Sequence, residues 1–479
     1  MAEEFVKEIT PKGIDFSSWY VDVVRKAELM DYAPVKGFMA LRPYGYEIWE
    51  RIQEGLDRRF KATGHRNAYF PLLIPESLLV KEAEHVEGFA PEVAWVTHGG
   101  NEPLGERLAI RPTSEAIIGS FYSKWIKSYR DLPVLLNQWC SVVRWERATR
   151  PFIRTSEFLW QEGHTVHRTA EEAEEETRRM LEVYRDFVEN DLAIPVIPGR
   201  KTESEKFAGA EYTLSIEALM TDGRALQAGT SHFLGQHFAK VFDIQFLDDD
   251  GQLKYGYQTS WGVSTRLIGA LIMVHGDDRG LVLPPRVAPI QVVIIPVGPQ
   301  KKREMVVAQA RKLHEELSGV ARVHLDDREE YTPGWKYNDW EMRGVPLRME
   351  IGPRDIEQDQ VILVRRDSGE KWSVARADIA GQLSEVLGRV QEGIRNKALA
   401  FLRSNTHTVS SYEEFKTIMA ERRGLLVAGW CGDAACEAKI KEETGATARC
   451  IPLDEAAGEG TCLLCGRESR HRVYFARAY

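Results

Sequence analysis

Apolar side chains return at three- and four-residue steps through Tyr46, Trp49, Ile52, Leu56 and Phe60, the spacing of one helix face. Gly64 predicts the end of that helix. Residues 67–71 follow as a short aromatic strand closed by Pro71. From about residue 134 to 248 strand signals take over. Segments 142–147 and 153–162 flank the short loop 148–151 (ATRP) and predict an antiparallel hairpin. Tyr212, Leu214, Ile216 and Ala218 alternate at period two, as do Phe242, Ile244 and Phe246. Gly262 then introduces a largely apolar helix over 267–274. Helices first and many strands afterwards predict an antiparallel sheet with helices around it. The charge run 171–179 (EEAEEETRR) reads as a solvated helix face.

The proline-rich stretch 283–289 reads as a linker. Beyond it the order becomes β-α-β: strand 290–297, helix 302–317, strand 321–325, a helix near 336–342, then strands 347–351 and 361–365. This predicts a separate α/β domain of about 100 residues, of ordinary domain size. A long helix over 375–401 leads to a cysteine-bearing tail. A chain of 479 residues exceeds one core, so several domains are expected in any case.

Composition changes this picture little. No run of about 18 apolar residues is present, so no membrane span is expected. The acidic start, Met1 to Phe5, lacks an apolar core and is not a secretory signal. The expected location is the cytoplasm. The net charge of −9 counts mildly against a nucleic-acid partner but leaves room for local basic surface. The six cysteines are unevenly placed: Cys140 stands alone, and the other five fall after residue 430. Cys431 and Cys436 form a C-x4-C pair, Cys462 and Cys465 a C-x2-C pair. Four thiolates at this spacing suit a closed, structural zinc site; an unmetallated tail with free thiols is the alternative. Cys140 and Cys450 have no partner at ligand spacing.

Candidate chemistry begins at Arg144-Trp145-Glu146 and Arg154-Thr155-Ser156-Glu157-Phe158. An arginine on a rigid strand can hold a phosphate with two parallel bonds. A carboxylate two residues on shares its face, and an aromatic on the facing strand can stack on a base. Taken alone, the same residues also read as the exposed face of an amphipathic hairpin. Arg266 is placed in the first turns of an apolar helix, after Gly262-Val263-Ser264-Thr265. A buried charge there demands either a carboxylate partner or an anionic ligand, and the residues alone leave both open.

Together the three patterns resemble the signature motifs of class II aminoacyl-tRNA synthetases. These are the helix and strand ending at Pro71, the pair of segments Arg144-x-Glu146 and Arg154-x-x-x-Phe158, and the stretch Gly262 to Arg266. Val143 stands where the class often has phenylalanine, and Val263 and Ser264 where other members have glycine; neither change removes a phosphate-binding arginine. Within the class the chain resembles prolyl-tRNA synthetases of the archaeal and eukaryotic-like type. The matching strings are 111–115 (RPTSE), 158–164 (FLWQEGH), 227–232 (QAGTSH) and 275–285 (HGDDRGLVLPP).

The resemblance implies an α+β multidomain chain. Residues 1–285 would form a class II antiparallel-sheet catalytic domain, 286–385 an α/β anticodon-binding domain, and 386–479 a small α/β zinc domain. It implies ATP with Mg²⁺, L-proline and tRNA(Pro) as partners, a structural Zn²⁺ on Cys431, Cys436, Cys462 and Cys465, and a homodimer built through the first motif. Thr113 and Glu115 would receive the proline ammonium, and Trp160, Glu162, His164 and His232 would shape its ring pocket. Arg144 would hold the carboxylate and the α-phosphate. Glu146 would meet the adenine, Phe158 would stack under it, and Arg154 and Thr155 would lie along the nucleotide. Gln227 and Thr230 would lie on the ribose side, with Ser264 near the γ-phosphate and Arg266 gripping it. Glu341, Arg348, Arg354 and Lys371 would read the anticodon guanines.

Threonyl or histidyl specificity is the nearest rival, and the string 160–164 argues against it. A regulatory homologue without activity is the second, and both Arg144 and Arg266 argue against that. The interval 158–262 is needed for sheet strands, so no editing insertion is expected there. A role for Tyr479 near the active site is an open guess.

Overall fold

A computed structural model describes residues 9–83, 92–453 and 460–479; Met1 to Phe5 lie outside them. The first long helix, α1 (Pro43–Ala62), buries Tyr44, Ile48, Trp49, Ile52, Leu56 and Phe60. Each of the large apolar side chains is worth about 2 kcal/mol on transfer from water. Tyr46, expected in that stripe, instead points outward at 42% exposure, because the buried face turns through Tyr44 and Ile48. Gly64 ends the helix region with a left-handed φ of 89°.

The strand that follows is shorter than expected, β1 (Arg66–Asn67). It runs parallel to β2 (Val134–Val143), which pairs antiparallel with β3 (Glu157–His167). The sheet continues through β4 (Val196–Arg200), β5 (Tyr212–Leu219), β6 (Ala225–Gly235) and β7 (Tyr257–Ser264), in spatial order β4-β5-β6-β7-β3-β2-β1. The helix α2 (Ala170–Asn190) packs on this sheet. Its charge run is mostly solvated, but Glu176 turns inward and meets His65 Nε2 at 2.7 Å.

Three expectations change here. The hairpin loop spans 144–156 rather than 148–151, so Arg144 lies just beyond β2 and not on a strand. Its ends are tied by long-range bonds: Val143 N–H to the Arg111 carbonyl, Trp145 N–H to Glu92 and Ser156 N–H to Gly37. Phe242 ends a short helix, His237–Phe242, because Asp243 adopts a left-handed φ of 58°. Gly262 belongs to β7, and α3 (Arg266–His275) starts at the arginine itself. The strands Trp95–Gly99 and Glu102–Ile110, which form a small sheet with Leu73–Pro75, were not anticipated.

Residues after the linker form a five-stranded sheet from β8 (Val292–Pro296), β9 (Val323–Leu325), β10 (Leu347–Ile351), β11 (Gln360–Arg365) and β12 (Lys371–Ala375). Its order is β9-β8-β10-β11-β12, parallel in the first three strands and antiparallel in the rest. Arg366 ties it to the first unit by two bonds to Asp277, 2.8 and 2.6 Å. The long helix α4 (Arg376–Ser404) crosses the boundary expected at 385.

The tail contributes β13 (Thr406–Thr408), β14 (Leu425–Trp430), β15 (Ala446–Pro452) and β16 (His471–Arg477). These strands do not form an independent sheet. β15 pairs with β4 at Ile451–Arg200 and Pro452–Gly199, so one eleven-stranded sheet runs through both units. Gly199 permits the approach: a Cβ there would come within 2.5 Å of the Cys450 side chain.

Gly163, in β3, lies against the ring of buried Trp261, and a Cβ would come within 2.1 Å of it. Gly163→Ala is therefore expected to cost about 3 kcal/mol through overpacking. A lowered denaturation midpoint measures it; an unchanged midpoint would contradict this packing.

Candidate active site

The open face of β3, β5, β6 and β7 forms a cleft of about 260 Å³. Thr113, Glu115, Arg144, Phe158, Trp160, Glu162, His164, Gln227, Thr230, His232, Ser264 and Arg266 all line it, so twelve expected site residues from five chain segments converge. Glu205, Lys206, Phe207, Thr213 and Ser260 also line it and were not anticipated. Three expected residues stand outside the lining. Glu146 and Arg154 face each other at 3.7 Å. Thr155 is buried and donates its hydroxyl to the Glu157 carbonyl at 2.6 Å.

At one end of the cleft Glu162 is almost fully occupied by protein. It accepts from the Ser114 N–H (3.1 Å), the Ser114 hydroxyl, Gln138 Nε2 (3.0 Å) and His164 Nε2 (2.9 Å). A carboxylate so engaged orders the pocket wall more than it offers an acceptor to a ligand. Glu115 accepts the Thr113 hydroxyl, and its free acceptor capacity faces the cleft. Trp160 donates to Cys140 Sγ at 3.3 Å. Burial, with Glu162 beside it, pushes the Cys140 thiol up to about 12, so it is a neutral structural group. Thr213 Oγ1 lies 2.9 Å from His232 Nδ1, and the Phe207 ring lies 4.7 Å from the imidazole. Burial, with His164 nearby, lowers His232 to about 3, leaving it neutral.

Burial opposes charge on both members of the Glu162–His164 pair, but each outweighs it for the other. Glu162 is held below the usual carboxylate range and His164 above the usual imidazole range. The depressed carboxyl contributes stability above an unfolded value of about 4.3, and the raised imidazole contributes it below about 6.5. Their interaction is thus fullest between those values. It is lost on acidification through the folded Glu162 value and as pH rises through the folded His164 value. In Glu162→Gln this bell-shaped part of the stability–pH curve is expected to vanish; a wild-type-shaped difference curve would contradict the pairing.

At the cleft centre the Arg144 guanidinium lies 5.4 Å from both the Phe158 and Trp160 rings. Its Nε donates to the Pro112 carbonyl at 3.0 Å. Burial lowers its pKa against the pull of Glu115, Glu162 and Glu146. Arg266, at the N-terminus of α3, bonds only the Ile153 carbonyl through its side chain among the described residues, at 3.3 Å. Burial, with Arg144 and Arg154 near, lowers it to about 10, so it stays charged at neutral pH. Neither arginine has a carboxylate at ion-pair distance among the described residues. The alternative left open for Arg266 therefore resolves toward an anionic ligand.

In the second unit Arg348 lies 4.0 Å from the Tyr337 ring and bonds Glu341 (2.9 Å) and Glu350 (3.0 Å). Lys371 meets Glu350 at 2.8 Å. Arg354 stands apart, on the short helix Pro353–Glu357 beside Lys302. In the tail, the four sulfur atoms of Cys431, Cys436, Cys462 and Cys465 lie within 4.8 Å of one another. Cys431 Sγ is 3.7 Å from both Cys436 Sγ and Cys465 Sγ. Tetrahedral thiolates about 2.3 Å from a zinc ion are separated by about 3.8 Å, so the cluster fits such an ion. Arg467 reaches Cys465 Sγ at 3.3 Å and supplies a cationic N–H beside the sulfurs.

Comparison with known proteins agrees in all three units. Residues 95–275 match the tRNA synthetase class II core domain (G, H, P, S and T). Residues 291–386 match an anticodon binding domain, and 412–479 the C-terminal domain of prolyl-tRNA synthetase. The proline--tRNA ligase of Natranaerobius thermophilus is 64% identical over all of this chain and 99% of its own length. That of Symbiobacterium thermophilum is 62% identical over the whole of both chains. Proline--tRNA ligase 2 of Bacillus cereus is 55% identical over the same span. With an arginine-lined cleft and the three matched units in one chain, the protein belongs to the proline--tRNA ligase family of class II aminoacyl-tRNA synthetases.

Proposed function

We propose that the protein activates L-proline with ATP and transfers the prolyl group to the 3′ end of tRNA(Pro). The observation that carries this is the meeting, in one cleft, of two arginines with no carboxylate partner among the described residues and an end walled by histidine and tryptophan. The proline ammonium is assigned to Glu115 and Thr113, and its ring to Trp160, His164 and His232, with Glu162 holding the wall in place. Its carboxylate lies toward Arg144. Phe158 takes the adenine, Gln227 and Thr230 the ribose, and Ser264 and Arg266 the terminal phosphates. We place Glu146, Arg154 and Thr155 around the nucleotide as well; the first two would exchange their mutual contact for ATP.

In the first step a proline carboxylate oxygen attacks the α-phosphorus and pyrophosphate leaves. In the second, a terminal ribose hydroxyl of the tRNA attacks the prolyl carbonyl and AMP leaves. Arg144 steadies charge building on the α-phosphate and Arg266 steadies the leaving group, so positioning and electrostatics supply the acceleration. Mg²⁺, brought with ATP, spreads the charge of the phosphates. Charging of tRNA(Pro) transcript with labelled proline tests the proposal, and failure to charge it with any proline would refute it.

Anticodon reading is assigned to Glu341, Arg348, Arg354 and Lys371, within a unit taken as 286–385. Arg348→Ala is expected to lower kcat/KM for tRNA(Pro) by about 10- to 100-fold, the value of a bidentate base contact. Proline-dependent pyrophosphate exchange should be unchanged in that variant; a loss there would contradict the separation of roles. The four-cysteine cluster is assigned to a structural Zn²⁺ in a unit taken as 386–479. A homodimer is proposed through the first motif, where Tyr69, Leu72 and Leu73 are exposed beside Pro71. No helix among the described residues is long and apolar enough to cross a membrane, and we take the enzyme to work in the cytoplasm.

A further inference from the structure

Beside the nucleotide end of the cleft lies a buried charge cluster that the assignments above leave unused. Glu217, fully buried in β5, accepts from Lys201 Nζ (2.6 Å), Ser215 Oγ (3.1 Å), and Arg449 Nε (3.0 Å) and Nη2 (2.9 Å). Lys201 also donates to the Arg449 carbonyl at 2.7 Å. Side-chain exposure is 1% for Lys201 and 7% for Arg449. Two cations thus share one carboxylate, and neither has a second carboxylate at ion-pair distance among the described residues. Burial opposes ionisation of Glu217, yet the two cations hold it below the usual carboxylate range. A buried surplus of positive charge is costly unless an anion comes near.

The cluster sits on the ligand side of the sheet. Thr213, Ser215 and Glu217 share one face of β5, and Thr213 lines the cleft. Glu217 pairs across the ladder with Gln227, where Ala228 forms a bulge in β6, and both Gln227 and Ala228 line the cleft. Bulges beside active sites re-aim side chains. Glu217 and Arg449 also act electrostatically on Arg266. Arg449 belongs to β15, the strand by which the tail joins the catalytic sheet.

We infer that Arg449 and Lys201 are positioning residues for ATP: through Glu217 they fix the bulged Gln227–Ala228 segment and place surplus positive charge behind Arg266, so that the C-terminal unit completes the nucleotide end of the cleft. This rests on the reading of that end as the ATP site. One charge removed about 12 Å from a phosphate charge, at an effective dielectric of about 20, is worth about 1.4 kcal/mol, or tenfold. Arg449→Met and Lys201→Met are therefore each expected to raise KM for ATP in pyrophosphate exchange, and Kd for ATP–Mg²⁺ by calorimetry, about tenfold. KM for proline should stay unchanged. Arg449→Lys, which keeps the charge but loses the fork, should recover most of the loss. If either soluble methionine variant keeps the wild-type Kd and KM for ATP, or loses kcat alone, the cluster is only scaffold and the inference fails. Absence of proline-dependent exchange in the unmodified protein would count against the site's assignment, while the ATP titration would still decide the inference.

Discussion

Arg144→Ala is expected to lower proline-dependent ATP–pyrophosphate exchange by about three orders of magnitude, the upper range for loss of a preorganised charge-stabilising donor. Among the described residues the guanidinium makes one hydrogen bond, to the Pro112 carbonyl, and lies 5.4 Å from the ring centroids of both Phe158 and Trp160. Arg144 lines the cleft, and no carboxylate lies at ion-pair distance from it among the described residues. The fold loses little when it goes, because the Pro112 carbonyl forfeits one bond and two rings lose a cation contact. In the proposed mechanism the reaction loses the group assigned to both the attacking carboxylate and the α-phosphate. The thermal melt should therefore stay near that of the unmodified protein while exchange collapses. A folded variant with undiminished exchange would remove Arg144 from the mechanism.

Loss of the zinc proposed for the tail is expected to have the largest structural effect. Three of the four cysteines are buried, and Cys431 and Cys462 belong to the apolar core that also holds Leu426, Val473 and Phe475. A bound ion would join the loop after β14 to the loop before β16. Structural zinc sites are worth on the order of 10 kcal/mol in peptides that cannot fold without them. This core survives in part on its own apolar contacts, so the expected loss is smaller and local. Cys462→Ser, or stripping with a chelator, should erase hydrogen-exchange protection over 425–430 and 471–477. Protection should loosen at the β15–β4 seam, and affinity for ATP should fall with it. Metal analysis showing no zinc in the purified protein, or protection unaffected by its removal, would contradict the assignment.

Elements set by local periodicity were legible in the chain. The stripe Trp49–Ile52–Leu56–Phe60 gave α1, and strand 347–351 matches its expected bounds. The loop 144–156 was not legible, because its course is fixed by backbone bonds to residues 37, 92 and 111 that no local pattern records. Arg144, Phe158 and Arg266 were legible as candidate chemistry on physical grounds, whereas Thr113, Glu115, Trp160, Glu162, His164, Gln227, Thr230 and His232 were legible only through strings resembling a known family. Thr213 was missed although a signal existed. The alternation Tyr212–Leu214–Ile216–Ala218 marked the core face of β5, and its complement Thr213–Ser215–Glu217 was the face left for the ligand. Gln138 and Ser114, which hold Glu162, come from different elements, and only the fold brings them together. The junction of β15 with β4 was equally hidden, since strand partners about 250 residues apart leave no trace in spacing.

The central claim is that the cleft activates proline in preference to any other amino acid. ATP–pyrophosphate exchange with the purified protein, run against each protein amino acid in turn, tests it most directly. Exchange should be supported by proline with the highest kcat/KM. Exchange driven best by threonine, histidine or any other amino acid, or no exchange with proline at all, would contradict the account.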